Sequence, residues 1–332
     1  MSKKSSKTAV LSAIAANFTV MVAKFIGFAF TFSGALLSEG IHTAADLLNQ
    51  ILLYIGIRRS GKISDAKFEY GYGSEQYVWA LISAVGIFFL GCGVTVYHGI
   101  HTLISPPEVH ENLTWAIVIL VISFFVEGAV LFIAVRGVKL DAGDNRFFDY
   151  LKQEADPSTV AVILEDSAAC LGVVIALVAI VLTKITGETY WDAIGSLMIG
   201  CLLGAIAIFL ISRNHTLLVG PSIPQNVRNQ IYQILSENDI VESVVDLRTR
   251  VLDSETYRIK ADLEFDGEAL AIKKEGELKA AYEKITNYQE FRAFVIQFSD
   301  ELIELLGDEI DKMEDEIREK FPKAQYLDLE AE

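Results

Sequence analysis

The chain has 332 residues, of which 52% are hydrophobic, and its mean hydropathy is +0.37. This composition is too apolar for an ordinary soluble protein of this size and predicts a helical membrane protein. The formal net charge is −16, and residues 221–332 hold 27 acidic residues against 14 basic ones, a net charge of −13. That concentrated acidity argues against a nucleic-acid partner.

Six apolar stretches are long enough to cross a hydrocarbon layer about 30 Å thick, which requires about 20 helical residues. They lie near residues 8–31, 34–57, 78–104, 113–136, 157–184 and 190–211. The sequence therefore predicts a six-helix transmembrane domain over residues 1–215 and an acidic domain over residues 216–332.

Basic residues gather in alternate connecting segments, which the positive-inside rule assigns to the cytoplasm together with both termini. The segments hold Lys3, Lys4 and Lys7, then Arg58, Arg59, Lys62 and Lys67, then Arg136, Lys139, Arg146 and Lys152. The opening "MSKKSSKTAV" lacks the pattern of a cleaved signal or of an organelle transit peptide. We therefore expect a multi-pass protein of a bacterial inner membrane.

Ionisable residues interrupt the second span, in "SEGIHTAADLLNQ". His42 and Asp46 are four residues apart and therefore share one helix face, which Glu39 and Asn49 extend. Such groups must face a bundle interior or a water-filled cavity, because lipid would leave them unsatisfied. Imidazole and carboxylate suit zinc and, less exclusively, manganese, iron or cobalt. A buried hydrogen-bonded pair that joins helices is the alternative.

Further ionisable residues fall within other spans. Glu165 and Asp166, in "VAVILEDSAACLG", are adjacent and so point about 100° apart, which lets only one of them face a metal directly. Glu127 in the fourth span is either a proton relay or a partner for a neighbouring helix. Lys24 is expected either to extend its ammonium toward the membrane surface or to neutralise a carboxylate, and Asp192 to cap or orient the start of the sixth span.

The acidic domain is predicted to be α+β. A helical pattern covers 224–236, and "VESVVDLRTRVL" and "TYRIKADLEFDG" alternate apolar and polar residues as half-buried strands do. Helical periodicity returns over about 270–320, and "AQYLDLE" predicts a last short strand. No His or Cys follows His215, so we expect this domain to hold no tight zinc site.

Several of these segments resemble the cation diffusion facilitators, a family of metal-exporting membrane proteins. The resemblance is carried by "SEGIHTAADLLNQ", "FEYGYGSEQYVWA" and "YWDAIGSLMIG". Two more segments, "DPSTVAVILEDSAACLGVVIA" and "LGDEIDKMEDEIREKFPKAQYLDLE", are similar to the branch that includes the mitochondrial zinc transporter and its bacterial relatives.

The resemblance implies a six-span zinc/proton antiporter with a cytoplasmic ferredoxin-like C-terminal domain that forms a homodimer. Its substrates would be a divalent metal ion and protons, and no cofactor would be permanently bound. By position, His42, Asp46 and Asp166 match the metal ligands of the second and fifth spans. Zinc would then leave the cytoplasm as protons enter, because protons and metal compete for the same ligand atoms.

One position departs from the family pattern. Val162 stands where the family commonly has a fourth ligand, four residues before Asp166. Glu165, a water molecule or Glu39 could complete the shell, and the branch resemblance favours Glu165. Glu39 and Glu127 are the candidates for a proton pathway.

Other functions stay open at this point. The same fold could export manganese, iron or cobalt instead of zinc, because such a ligand set discriminates poorly. A membrane scaffold without transport would have no need of costly intramembrane acids. The chain carries no HExxH motif or serine-nucleophile motif, so an enzyme is not predicted.

Overall fold

A computed structural model describes residues 3–106, 113–142 and 157–332 of the chain. The chain divides into two compact units, Met1–Leu218 and Val219–Glu332. Two of the basic residues used above to assign the cytoplasmic side, Arg146 and Lys152, lie outside the described residues.

The described part of the first unit consists of long helices. They are α1 (Lys3–Thr31), α2 (Gly34–Ser60), α3 (Glu75–Ile104), α4 (Leu113–Ala142), α5 (Pro157–Thr186) and α6 (Tyr190–Val219). Within α3, Ile87–Gly93 is π-helical, a local widening that is frequent near functional sites.

Four helices among the described residues are long and apolar enough to cross a membrane. They comprise Glu75–Ile104, Leu113–Leu140, Ile163–Thr186 and Tyr190–Val219, and Asn17–Thr31 is a shorter apolar segment. A helical membrane protein is therefore confirmed, and four of the six predicted spans are found. Membrane crossing by α1 and α2 stays a prediction.

The core of the first unit is built largely from small side chains. Ala35, Ala116, Ala176 and Ala207 are fully buried among Leu, Ile and Val side chains from several helices. Small residues let helix backbones approach closely, which is how helices associate inside a membrane. This close packing brings the polar face of α2 against α5.

The first turn of α2 is held by a side chain from α6. Ser33 caps α2, accepting from the backbone N–H of Leu36, and its own hydroxyl donates to Asp192 at 2.7 Å. Asp192 also accepts from the backbone N–H groups of Gly34 and Ala35. The sequence placed this aspartate in the first turn of α6, but its carboxylate satisfies the free N–H groups of a different helix.

The second unit contains a small mixed sheet. Its strands are β1 (Val241–Val251), β2 (Tyr257–Phe265) and β3 (Ala324–Ala331), in the order β1-β2-β3. β1 and β2 pair antiparallel, with Leu247 opposite Ala261, and β2 and β3 pair parallel, with Ile259 opposite Leu327. The predicted α+β character and the final strand are confirmed.

The second unit also contains four helices. They are α7 (Gln225–Ser236), α8 (Gly267–Lys273), α9 (Glu275–Tyr282) and α10 (Tyr288–Lys320). Ile231 of α7, Ile259 of β2 and Ile317 of α10 are fully buried in one shared apolar core. The predicted helical stretch 270–320 is therefore three helices, interrupted before Asn287, whose side chain caps α10 by accepting from Glu290 N–H.

Candidate metal centre

His42 and Asp46 lie one turn apart on α2, as their spacing predicts. Their nearest atoms, His42 Nε2 and Asp46 Oδ2, are 3.6 Å apart. His42 is 3% exposed, and among the described residues neither of its ring nitrogens has a hydrogen-bond partner. Since buried polar groups are nearly always hydrogen-bonded, an unsatisfied imidazole indicates a group kept free for a ligand.

A small cavity lies between the polar face of α2 and helix α5. It encloses about 70 Å³, and its lining includes the acidic residues Asp46, Glu127, Glu165 and Asp166 together with Asn17, Thr43 and Gln50. Asp166 Oδ2 is buried without a hydrogen-bond partner among the described residues. Carboxylates from three helices, α2, α4 and α5, therefore face one confined volume, and in water-poor surroundings they require a cation or protons.

Glu165 is held by an amide from α2. Asn49 Nδ2 donates to Glu165 Oε2 at 2.8 Å, and Asn49 Oδ1 accepts from the Ser83 hydroxyl at 2.8 Å. This chain of contacts joins α5, α2 and α3 and fixes the orientation of the Glu165 carboxylate. The spacing in the sequence predicts Asn49 on the polar face of α2. No local pattern predicts that Asn49 contacts Ser83 of α3.

The predicted ligands do not close into a finished site in this conformation. Within residues 3–106, 113–142 and 157–332, no group of three or more His, Cys, Asp or Glu side chains is close enough to hold a metal ion. Asp46, Glu165 and Asp166 share a cavity, and His42 adjoins Asp46, but zinc needs each donor atom at about 2.0–2.2 Å. The donor types suit a divalent cation, and the side chains would have to move inward to bind one. The side chain of Val162 lies outside the described part of the chain.

The two candidates for a proton pathway are both paired with Lys24. Lys24 Nζ lies 3.0 Å from Glu39 Oε2 and 2.8 Å from Glu127 Oε1, and it donates to the Thr43 hydroxyl at 2.9 Å. Of the two roles expected for Lys24, the structure shows neutralisation and not an ammonium extended to the surface, because the side chain is fully buried and contacts two carboxylates, from α2 and α4. These contacts tie three helices together beside the cavity.

A glycine on α5 makes room for this arrangement. A side chain at Gly172 would collide with Glu39 Oε1, and His42 Cδ2 lies 4.0 Å from the same point. The absence of a side chain at this position therefore lets α5 approach α2 at the level of the charged residues. Gly172 was not among the residues predicted to matter, although a glycine within an apolar helix indicates close packing.

Comparison with known proteins identifies the family. Residues 10–219 match the family model described as the cation efflux transmembrane domain. The chain is 36% identical over 338 residues to metal tolerance protein C4 of Arabidopsis thaliana, covering 98% of this chain and 73% of that protein.

Two other relatives have transport in their names. The proton-coupled zinc antiporter SLC30A9, mitochondrial, of Homo sapiens is 34% identical over 97% of this chain, which spans 58% of that protein's length. The cation-efflux pump FieF of Shewanella oneidensis is 26% identical over 79% of this chain and 82% of its own length. The chain therefore belongs to the cation efflux family, whose members are membrane transporters and not enzymes.

Proposed function

We propose that this protein exports a divalent cation, foremost zinc, in exchange for protons. The observation that carries the proposal is the buried imidazole of His42, with both ring nitrogens unpaired among the described residues, beside Asp46 and a cavity lined by Asp166. His42, Asp46 and Asp166 are the proposed metal ligands. Glu165, oriented by Asn49, is the proposed fourth.

The chemistry of these ligands supplies the exchange. An imidazole binds zinc only when neutral and a carboxylate only when ionised, so arriving protons displace the metal at the same atoms. If the cavity opens alternately to the two sides, proton entry drives the cation outward.

The proposed architecture has six membrane spans and a C-terminal module outside the membrane. α1 and α2 would be the first and second spans and would complete a set of six with the four apolar helices, with the basic connecting segments and both termini in the cytoplasm. The membrane would be a bacterial inner membrane. The second unit would act as a cytoplasmic ferredoxin-like module that pairs two chains into a homodimer. The zinc antiporter among the relatives supports zinc as the cargo.

Manganese, iron and cobalt are the competing cargoes, because a site with one imidazole and several carboxylates accepts all of them. The cation-efflux pump among the relatives carries no metal in its name. Competition by each metal against zinc flux in one preparation would rank the candidates.

Zinc uptake into proteoliposomes that contain the full chain tests the proposal directly. His42→Ala should abolish zinc flux driven by a pH gradient. His101→Ala is the matched control, since His101 is an exposed imidazole on α3, and it should transport normally. Normal zinc flux in His42→Ala, in a preparation where His101→Ala is also active, would refute the assignment.

A further inference from the structure

Like its partner Glu39, Lys24 is fully buried in the membrane unit, with 0% exposure. Its ammonium donates to Glu39 Oε2 at 3.0 Å, to Thr43 Oγ1 at 2.9 Å and to Glu127 Oε1 at 2.8 Å. An ammonium carries three hydrogens, so these three contacts use every one of them. The cation is therefore held at a fixed point between α1, α2 and α4.

The three oxygen atoms around Nζ form the kind of shell that a metal ion uses. Two carboxylate oxygens and one hydroxyl oxygen, from two different helices, converge on one point at 2.8–3.0 Å. Oxygen donors of this type suit hard divalent cations such as manganese, magnesium and calcium. A contraction of less than about 1 Å would bring these oxygens to the distances such ions require.

Each carboxylate also has an oxygen left over. Among the described residues, Glu39 Oε1 and Glu127 Oε2 are buried and have no hydrogen-bond partner. If the ammonium were absent, two buried carboxylates would face each other with no positive charge between them. A divalent ion is the natural replacement, because it brings charge and accepts additional ligand oxygens.

The ammonium site borders the proposed transport site. Glu127 lines the same cavity as Asp46 and Asp166, and Glu39 lies against Gly172 beside His42. An ion that enters the cavity therefore reaches the surroundings of Glu127. What separates the two sites chemically is the positive charge of Lys24.

We propose that Lys24 is a tethered cation that occupies a second metal site, formed by Glu39, Glu127 and Thr43, and so restricts the membrane unit to one divalent ion. The inference rests on the proposed function, because it requires a metal ion in the adjacent cavity. It assigns Lys24 a role in the stoichiometry of metal binding, in addition to its role in holding three helices together. The ligand class of the closed site is a hard divalent cation.

The number of bound manganese ions tests the inference. Full-length wild type and Lys24→Met, purified in detergent, are equilibrated with manganese by dialysis, and the metal per chain is measured by elemental analysis. Lys24→Met is expected to bind one more ion than wild type. Lys184→Met, which removes an exposed lysine that donates to Thr114 on α4, is the matched control and should bind the wild-type number.

A third variant assigns the additional ion to its ligands. Lys24→Met combined with Glu39→Gln and Glu127→Gln removes the carboxylate charges and should return the count to that of wild type. An equal count in wild type and in folded Lys24→Met would overturn the inference, as would an additional ion that persists in the triple variant.

Two further results keep the test decisive. If Lys24→Met folds only when manganese is present, the ion has replaced the ammonium and the inference is supported. If neither Lys24→Met nor Lys24→Gln folds in the presence of manganese, the inference is overturned, because the carboxylates then do not accept a metal ion. Failure of the proposed function is distinguishable: wild type and His42→Ala would then bind equal numbers of zinc ions.

Discussion

Gly172 offers a direct test of the close approach between α5 and α2. A Cβ added at this glycine would collide with Glu39 Oε1, and the carboxylate cannot simply swing aside because its other oxygen holds the Lys24 ammonium at 3.0 Å. Gly172→Ala must therefore displace α5, break the ion pair or force the side chain of Glu39 out of its rotamer. All three changes disturb the region beside His42.

Two opposing effects determine how much Gly172→Ala changes the free energy of unfolding. Inserting a methyl group into a packed interior costs about 1–3 kcal/mol, whereas replacing glycine by alanine inside a helix gains about 1 kcal/mol. Gly137→Ala in α4 is the matched control, because nothing lies within 4 Å of its added Cβ. Gly137→Ala should have only the stabilising effect of alanine in a helix. Gly172→Ala should therefore be less stable than this control by about 1–3 kcal/mol.

Reversible unfolding of the full chain in mixed detergent micelles, followed by circular dichroism, measures this difference. Glu39→Asp in the Gly172→Ala background shortens the acid by one methylene group and should recover part of the lost stability. Equal stability of the two alanine variants would refute the reasoning, because it would mean that α5 and α2 are farther apart than the structure places them.

Three further predictions follow from contacts in both units. Asn49→Ala removes the amide that donates to Glu165 at 2.8 Å and should weaken zinc binding by about 10–100-fold in calorimetry, as losses of ligand-orienting contacts do. Asp192→Ala removes the acceptor for the first N–H groups of α2 and should cost about 1–3 kcal/mol in the same unfolding assay. In the second unit, hydrogen bonds from Lys273 and Lys312 lower the pKa of Glu309 below its ordinary value of 4.5. The lowered pKa stabilises the folded state at pH values above 4.5, and this stability is lost as the pH falls through the folded-state pKa. Glu309→Gln should therefore remove this part of the acid sensitivity. The measurement is the hydrogen-exchange protection of α10 amides, corrected for intrinsic rates.

Local patterns were sufficient for much of the fold. Four-residue spacing on a helix places His42 beside Asp46, and alternation predicts β2, whose Ile259, Ala261 and Leu263 are buried at every second position. The break before α10 was also available from the sequence, because Asn287 followed three residues later by Glu290 is a helix-start pattern. The longer helical prediction missed it because apolar periodicity continues on both sides.

Local sequence patterns could not predict the contacts between distant segments of the chain. Lys24 and Glu127 are 103 residues apart, and Ser33 and Asp192 are 159 apart, so their pairing depends on how the helices pack. The sequence supplied the charged residues and their cost in a membrane, which predicts that each needs a partner. It did not supply the partner, because several acids on several helices satisfy the same requirement.

The anchoring of α2 by Asp192 has a mechanical consequence. His42 and Asp46 lie eight and twelve residues beyond Gly34, hence about 12 Å and about 18 Å along the helix axis from the anchored turn. A rigid rod that pivots at one end sweeps its far positions in proportion to their distance. A swing of about 10° would carry the imidazole about 2 Å and the carboxylate about 3 Å. A modest rocking of this lever is thus enough to draw the α2 donors toward α5 or to withdraw them, while the hydrogen bonds at the pivot stay intact.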